Sequence, residues 1–169
     1  NITTKNSFQV LANYTIYDFE DIISQVQSFS YRQLSIKDST SFYFTNRIFL
    51  EFNGELKFYE QGQFNNRNFS VKPIAYFEEK FFNPQINFNL NGFIRIGAGY
   101  KYFIQDRYQY ENAVKQITGT FRTFGPLGEI YVYLNKNSVI HMKAGLDFIK
   151  YSVPENDNSA LYLQLNILW

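Results

Sequence analysis

The chain contains no cysteine. A disulfide framework, a thiol nucleophile and a thiolate metal site are therefore excluded, although the redox compartment stays open. Histidine occurs once, at His141, and 16 basic side chains nearly cancel 15 acidic ones for a net charge of +1. So balanced a chain offers no electrostatic case for nucleic acid or an acidic partner. No stretch approaches the roughly 18 consecutive apolar residues that a transmembrane helix needs. The opening Asn1-Ile2-Thr3-Thr4 has neither the basic start nor the apolar core of a secretory signal, so a mature or excised product is expected. What the chain does have is aromatic: 19 Phe and 14 Tyr among 169 residues. Yet its mean hydropathy is only −0.32. A single domain over residues 1–169 is the expectation from length.

Period-2 alternation reconciles the aromatic content with the low hydropathy, because one face of each strand is apolar and the other polar. From Ser7 to Tyr17, Phe8, Val10, Ala12, Tyr14 and Ile16 alternate with Gln9, Leu11, Asn13 and Thr15. From Phe42 to Gln61, apolar Phe42, Phe44, Ile48, Leu50, Phe52, Leu56 and Phe58 oppose Arg47, Glu51, Asn53, Glu55 and Lys57. Over Asn68–Glu78 the pattern persists, though Pro73 removes a ladder donor. The clearest segment, Gln85–Gln105, sets Ile86, Phe88, Leu90, Ile94, Ile96, Ala98, Tyr100 and Tyr102 against Asn87, Asn89, Asn91, Arg95, Gly97, Gly99 and Lys101. In 115–135 the phase flips between Phe121 and Ile130, which places a bulge or turn at Gly125-Pro126-Leu127-Gly128. Ile140, Met142, Ala144, Leu146 and Phe148 then oppose His141, Lys143, Gly145 and Asp147.

Asn53-Gly54 and Asn91-Gly92 carry hairpin chemistry, but a two-residue loop would invert the parity that runs through both. Continuous strands, or three-residue turns, keep it. Phe19, Ile22, Ile23 and Val26 behind Asp18 fit a short helix or a strand. With both Asn-Gly sites continuous, connections fall near 18–22, 37–40, 62–67, 79–84, 106–113, 135–138 and 152–159. That makes eight strands, and turns at both sites would make ten. The fold class expected is all-β, an antiparallel up-and-down transmembrane β-barrel with apolar residues outward and polar residues in the lumen.

The final segment carries the strongest identification. Leu161, Leu163, Leu165, Ile167 and Trp169 share one face, and Tyr162, Gln164, Asn166 and Leu168 share the other. An apolar strand ending on an aromatic residue resembles the C-terminal assembly signal of bacterial outer-membrane β-barrel proteins. The resemblance implies a small barrel of the OmpA/OmpX-like architectural class in a Gram-negative outer membrane. The Asn, Phe, Tyr, Ile and Lys bias suggests an AT-rich genome of the Bacteroidetes type. The resemblance to outer-membrane barrels also implies contact with outer-membrane lipid and lipopolysaccharide, the barrel-assembly machinery and other outer-membrane proteins. A last strand running down to the periplasm would put 37–40 and 135–138 on the periplasmic side. The longer 106–113 and 153–158 loops would then lie outside.

Chemistry-bearing residues are few. The expected lumen network comprises Arg47, Glu51, Glu55, Lys57, Arg95, Lys101, Arg122, Glu129, His141, Lys143 and Asp147. Mixed signs at strand spacing read as a compensated salt-bridge plug, with a narrow pore or proton path as the competing use. His141 lies near the expected periplasmic turn beside Lys143. The lipid-remodelling outer-membrane barrels carry their histidine at the extracellular rim, so a structural histidine is the expectation. Gly97-Ala98-Gly99 lacks the third glycine and helix of a phosphate loop. Arg107, Tyr108 and Tyr110 form an aromatic-basic tip suited to an interfacial girdle or a partner. The expected function is non-enzymatic: structural protein, membrane anchor or subunit of an outer-membrane complex, with no cofactor, metal or nucleic acid. The alternatives are a lipid-modifying enzyme, a narrow channel and a soluble lipocalin-like binding barrel with the faces inverted.

Overall fold

The structure is a computed structural model and describes residues 1–17, 28–65, 68–111, 114–135, 137–152 and 155–168. The segment from Asp18 to Gln27, read as helix or strand, and the terminal Trp169 lie outside the described residues. Eight strands follow one another: β1 (Ile2–Thr15), β2 (Phe29–Tyr43), β3 (Ile48–Asn65), β4 (Ser70–Asn89), β5 (Ile94–Glu111), β6 (Val114–Tyr133), β7 (Val139–Ser152) and β8 (Glu155–Leu168). Each pairs antiparallel with the next in a single sheet of order β1 to β8, an up-and-down meander. Among the described residues no ladder joins β1 to β8, so the sheet has two open edges. No described helix is long and apolar enough to cross a membrane, which leaves crossing by strands untouched.

At one end of the sheet three hairpins are built alike. Phe44 N donates to Ile48 O, Leu90 N to Ile94 O and Leu134 N to Ser138 O, each spanning three residues. Side chains pin the turns: Thr45 Oγ1 accepts from Arg47 N and Ile48 N. Asn91 Oδ1 likewise accepts from Phe93 N at 2.9 Å and Ile94 N at 2.8 Å. These are short side-chain-to-backbone loops that replace a ladder bond. A three-residue loop returns the chain in the same parity, which is why alternation passes through Asn91-Gly92 although it is a turn. Asn53-Gly54 does lie inside a continuous strand.

Several expected connections move. Residues 37–40 and 79–84 are interior to β2 and β4, and the turns stand at 44–47 and 90–93. At the opposite end, Glu111 pairs with Val114 and Ser152 with Glu155. The long loops expected over 106–113 and 153–158 are therefore strand for most of their length, and sorting the two ends by those loops fails. The expected bulge at 125–128 is instead a register shift at Thr118, between the Arg107–Gly119 and Tyr108–Ile117 pairs. A second shift leaves Ile74 unpaired beside Pro73, so that proline sits at an irregularity rather than in a regular ladder.

Pro84 and Pro126 lie mid-strand, and each interrupts one ladder only. The β4–β5 pairing skips 83–84 while the β3–β4 pairing runs through Pro84, and the β6–β7 pairing skips 125–126 while β5–β6 is intact. A proline lacks one donor and so breaks the ladder on the side where that donor would point. At Gly125 the backbone of β7 approaches so closely that a Cβ would overlap the Leu146 carbonyl.

Candidate functional site: a buried polar face

Alternation gives the sheet a polar face and an apolar face, and burial divides them the reverse of the usual way. The buried residues include Ser35, Asn83, Gln85, Asn87 and Glu129, all on the polar face. Large residues on the apolar face are half-exposed to exposed, with Ile86 at 37% and, on the edge strand β8, Leu163 at 82% and Leu161 at 83%. Polar side chains also reach past a neighbouring strand: Gln85 in β4 to Glu129 in β6, and Gln105 in β5 to Tyr59 in β3.

Glu129 is the centre of the largest polar cluster. It is 5% exposed and accepts from Lys143 Nζ at 3.0 Å, Tyr131 Oη at 2.7 Å and Gln85 Nε2 at 3.4 Å. His141 Nε2 lies 3.2 Å from the same carboxylate. The register explains the gathering, because Glu129 pairs with Lys143 and Tyr131 with His141 across the β6–β7 ladder. The Tyr131 and His141 rings stack with centroids 4.1 Å apart at 5°. The Arg95 guanidinium lies 3.9 Å from the Tyr131 centroid on its other neighbour strand.

Three smaller clusters repeat the theme. Lys101 Nζ pairs with Asp147 at 2.7 Å across Gly125, which has no side chain to intervene. Lys101 also stands 4.9 Å from the ring of Tyr162 in β8, and that tyrosine lies over Gly145, where a Cβ would come 2.5 Å from its hydroxyl. Glu79 takes Lys57 at 3.4 Å, Tyr59 Oη at 3.1 Å and Gln105 Nε2 at 2.7 Å. Glu55 accepts from Ser35 Oγ at 2.8 Å and pairs with Lys37 at 3.2 Å. Glu51 accepts from Asn53 Nδ2. The small residue Gly97 faces Asn87, which fills the space a Cβ would need. Glycines on this face make room for amides, a tyrosine ring and an ion pair.

Of the eleven expected network residues, Glu51, Glu55, Lys57, Arg95, Lys101, Glu129, His141, Lys143 and Asp147 share this face. Arg47 sits in the exposed 44–47 turn rather than in a strand. Arg122 is on the opposite face, paired between Ile104 and Lys150, because the shift at Thr118 moves the phase of β6. Sequence reasoning passed over Tyr59, Glu79, Gln85, Gln105, Tyr131 and Tyr162. Their shared parity was available, but only charges on the expected strands were counted, and Glu79 had been assigned to a turn.

His141 meets a carboxylate already shared with Lys143, and one ring face is covered by Tyr131. Among the described residues no Ser or Thr hydroxyl is bonded to His141, and no three His, Asp or Glu side chains gather as metal ligands.

The apolar face changes character along its length. Toward the 44–47, 90–93 and 134–138 turns it carries Leu50, Phe52, Ile86, Ile96, Ile130, Met142, Leu163 and Leu165. Toward the other end it carries ion pairs: Arg32 with Glu60, Lys80 with Asp106 at 3.5 Å, and Lys150 with Asp157 at 3.3 Å. Lys115 there reaches Glu78 at 2.9 Å and lies 3.6 Å from the Tyr76 ring and 4.0 Å from the Tyr108 ring. No protein-family model matches this sequence, and no curated protein matches it.

Proposed function

We propose that the chain is an integral outer-membrane β-barrel protein, non-enzymatic, serving as a structural or anchoring element or as a subunit of a larger outer-membrane assembly. The observation that carries this reading is the inversion of burial: Glu129 and Asn87 are buried while Leu161 and Leu163 are bare. In water, an apolar surface of this extent costs about 25 cal/mol per Å2 left uncovered. Hydrocarbon removes that cost, and the ion-paired, tyrosine-bearing end of the same face suits the headgroup region.

Three further features support it. Strands of 14 to 20 residues exceed the roughly 9–11 that a tilted strand needs to cross the hydrocarbon. The meander of eight strands leaves β1 and β8 antiparallel, so the two open edges run in the sense needed to pair and close a barrel. The polar face is filled with compensated charge, which suits a plugged interior better than a conducting one. The small outer-membrane barrels of the OmpA/OmpX-like class are the family this architecture resembles.

The test is behaviour in membranes and detergent. The protein should stay with the outer-membrane fraction through high-salt and carbonate washes, and should migrate differently on gels before and after heating. Release by salt alone would contradict the reading.

A further inference from the structure

On the polar face Lys5, Arg95 and Arg107 form no ion pair among the described residues, and only Arg95 of these stands beside another unpaired arginine at a cavity. Lys37, Lys57, Lys101 and Lys143 each have a carboxylate partner. Arg47 and Arg95 form no ion pair among the described residues, and both line a cavity of about 640 Å3 at the end of the sheet that carries the 44–47 and 90–93 turns. The backbone brings them together: Asn89 N donates to Arg47 O at 2.7 Å, and Asn89 pairs with Arg95.

Arg95 is held by rings rather than by charge. Its guanidinium lies 3.9 Å from the Tyr131 centroid and 6.0 Å from that of Phe49. Its Nε is buried with no hydrogen-bond partner. An Nε donor left unmatched in a partly buried site carries a desolvation cost that an incoming acceptor would relieve. Glu129, the nearest buried carboxylate along β6, is already engaged by Tyr131, Gln85, His141 and Lys143. Stacked aromatic pairs flank the cavity, Tyr43 on Phe49 with centroids 5.1 Å apart and Tyr133 on Tyr131 at 6.4 Å. Asn46, Asn89 and Asn91 share the lining with these rings and add polar contacts for an anion. The volume falls within the range of small-molecule sites, roughly 300–1,000 Å3.

We propose that this cavity binds a small organic anion whose carboxylate or phosphate group lies between Arg47 and Arg95 and whose body packs against Tyr43, Phe49 and Tyr133. The site belongs to the sheet itself and does not depend on the membrane reading. Its recognition chemistry is a guanidinium pair on one oxyanion, with aromatic walls selecting a planar or apolar carrier.

The experiment is calorimetric titration of the full-length folded protein in detergent with phenyl phosphate, benzoate and inorganic phosphate. Saturable binding is expected for at least one of the two aromatic anions, with inorganic phosphate at least tenfold weaker because it leaves the rings unused. Arg47→Gln, in an exposed turn that does not threaten folding, should weaken binding at least tenfold, and Arg95→Gln at least as much. Arg95→Lys keeps the charge without the fork and covers the case in which Arg95→Gln fails to fold; it too should bind more weakly. Lys101→Gln, in a separate ion pair, should leave binding unchanged. Absence of saturable binding by either aromatic anion, or binding unaltered in Arg47→Gln, would overturn the site. Equal affinity for inorganic phosphate would overturn the aromatic selection.

Discussion

The two faces of this sheet use the same residue classes under opposite rules. On the polar face Lys101 and Asp147 pair with side chains 19% and 18% exposed, while on the apolar face Lys150 and Asp157 pair at 52% and 64%. Large aliphatic side chains show the reverse: Leu127, among the few on the polar face, is buried at 5%, and Leu163 is bare at 82%. A residue's role in this molecule therefore follows from its parity more than from its type. Substitutions that carry one face's chemistry to the other test that directly.

The largest expected effect comes from the polar face. Glu129→Ala leaves Lys143, His141 and Tyr131 facing one another without their shared acceptor. Removing one member of a buried ion pair costs about 3–5 kcal/mol, because the surviving charge stays desolvated. Chemical denaturation of the detergent-folded protein should show the midpoint falling accordingly. A shift below about 1 kcal/mol would mean that this face is wet enough for solvent to replace the carboxylate.

Next in size is Leu163→Arg on the apolar face. In a bilayer a lipid-facing arginine near the midplane costs about 2–4 kcal/mol and falls away toward the interfaces. In water the same exposed substitution stays within about 0.5 kcal/mol. Refolding into lipid vesicles, set beside refolding in detergent, separates the two. A penalty confined to vesicles sharpens the contrast between faces, and none in either medium would break it.

Parity is also what made the fold legible and what limited the reading. The shared faces of Glu51 with Lys57, and of His141 with Asp147, follow from alternation alone. Turn positions do not, because the closures from Phe44 to Ile48, Leu90 to Ile94 and Leu134 to Ser138 join residues of the same parity. Polar runs filled that gap misleadingly. Lys37-Asp38-Ser39-Thr40 has turn composition, yet Asp38 and Thr40 lie mid-strand and bond to each other and to Thr4 of β1. Glu79 and Lys80 look like a charged loop, but they stand on opposite faces, one bonded to Lys57 and the other to Asp106. Arg122 escaped because a single extra residue, Thr118, inverts everything counted from the wrong side of it. Spacing does not show that Arg47 and Arg95 line one cavity, because Asn89 links them, through its N–H to Arg47 O and through its pairing with Arg95.

The smallest effect is the most diagnostic, because it holds chemistry constant. Lys150→Ala removes a pair whose partners are both more than half exposed, and such pairs contribute about 0–1 kcal/mol. Lys101→Ala removes the same residue type opposite the same carboxylate type, but strands Asp147 on the buried face beside Gly125. Its cost should be several-fold larger, approaching the loss expected for a buried charge left alone. Both variants would be compared by denaturation midpoint at low and at high salt. Salt should erase what little Lys150 contributes, since exposed pairs are screened within about 8–10 Å, and should leave the Lys101 difference largely in place. Equal losses at both positions, or equal sensitivity to salt, would mean that the two faces share one dielectric environment, and the division of labour drawn from burial would fail at its most controlled point.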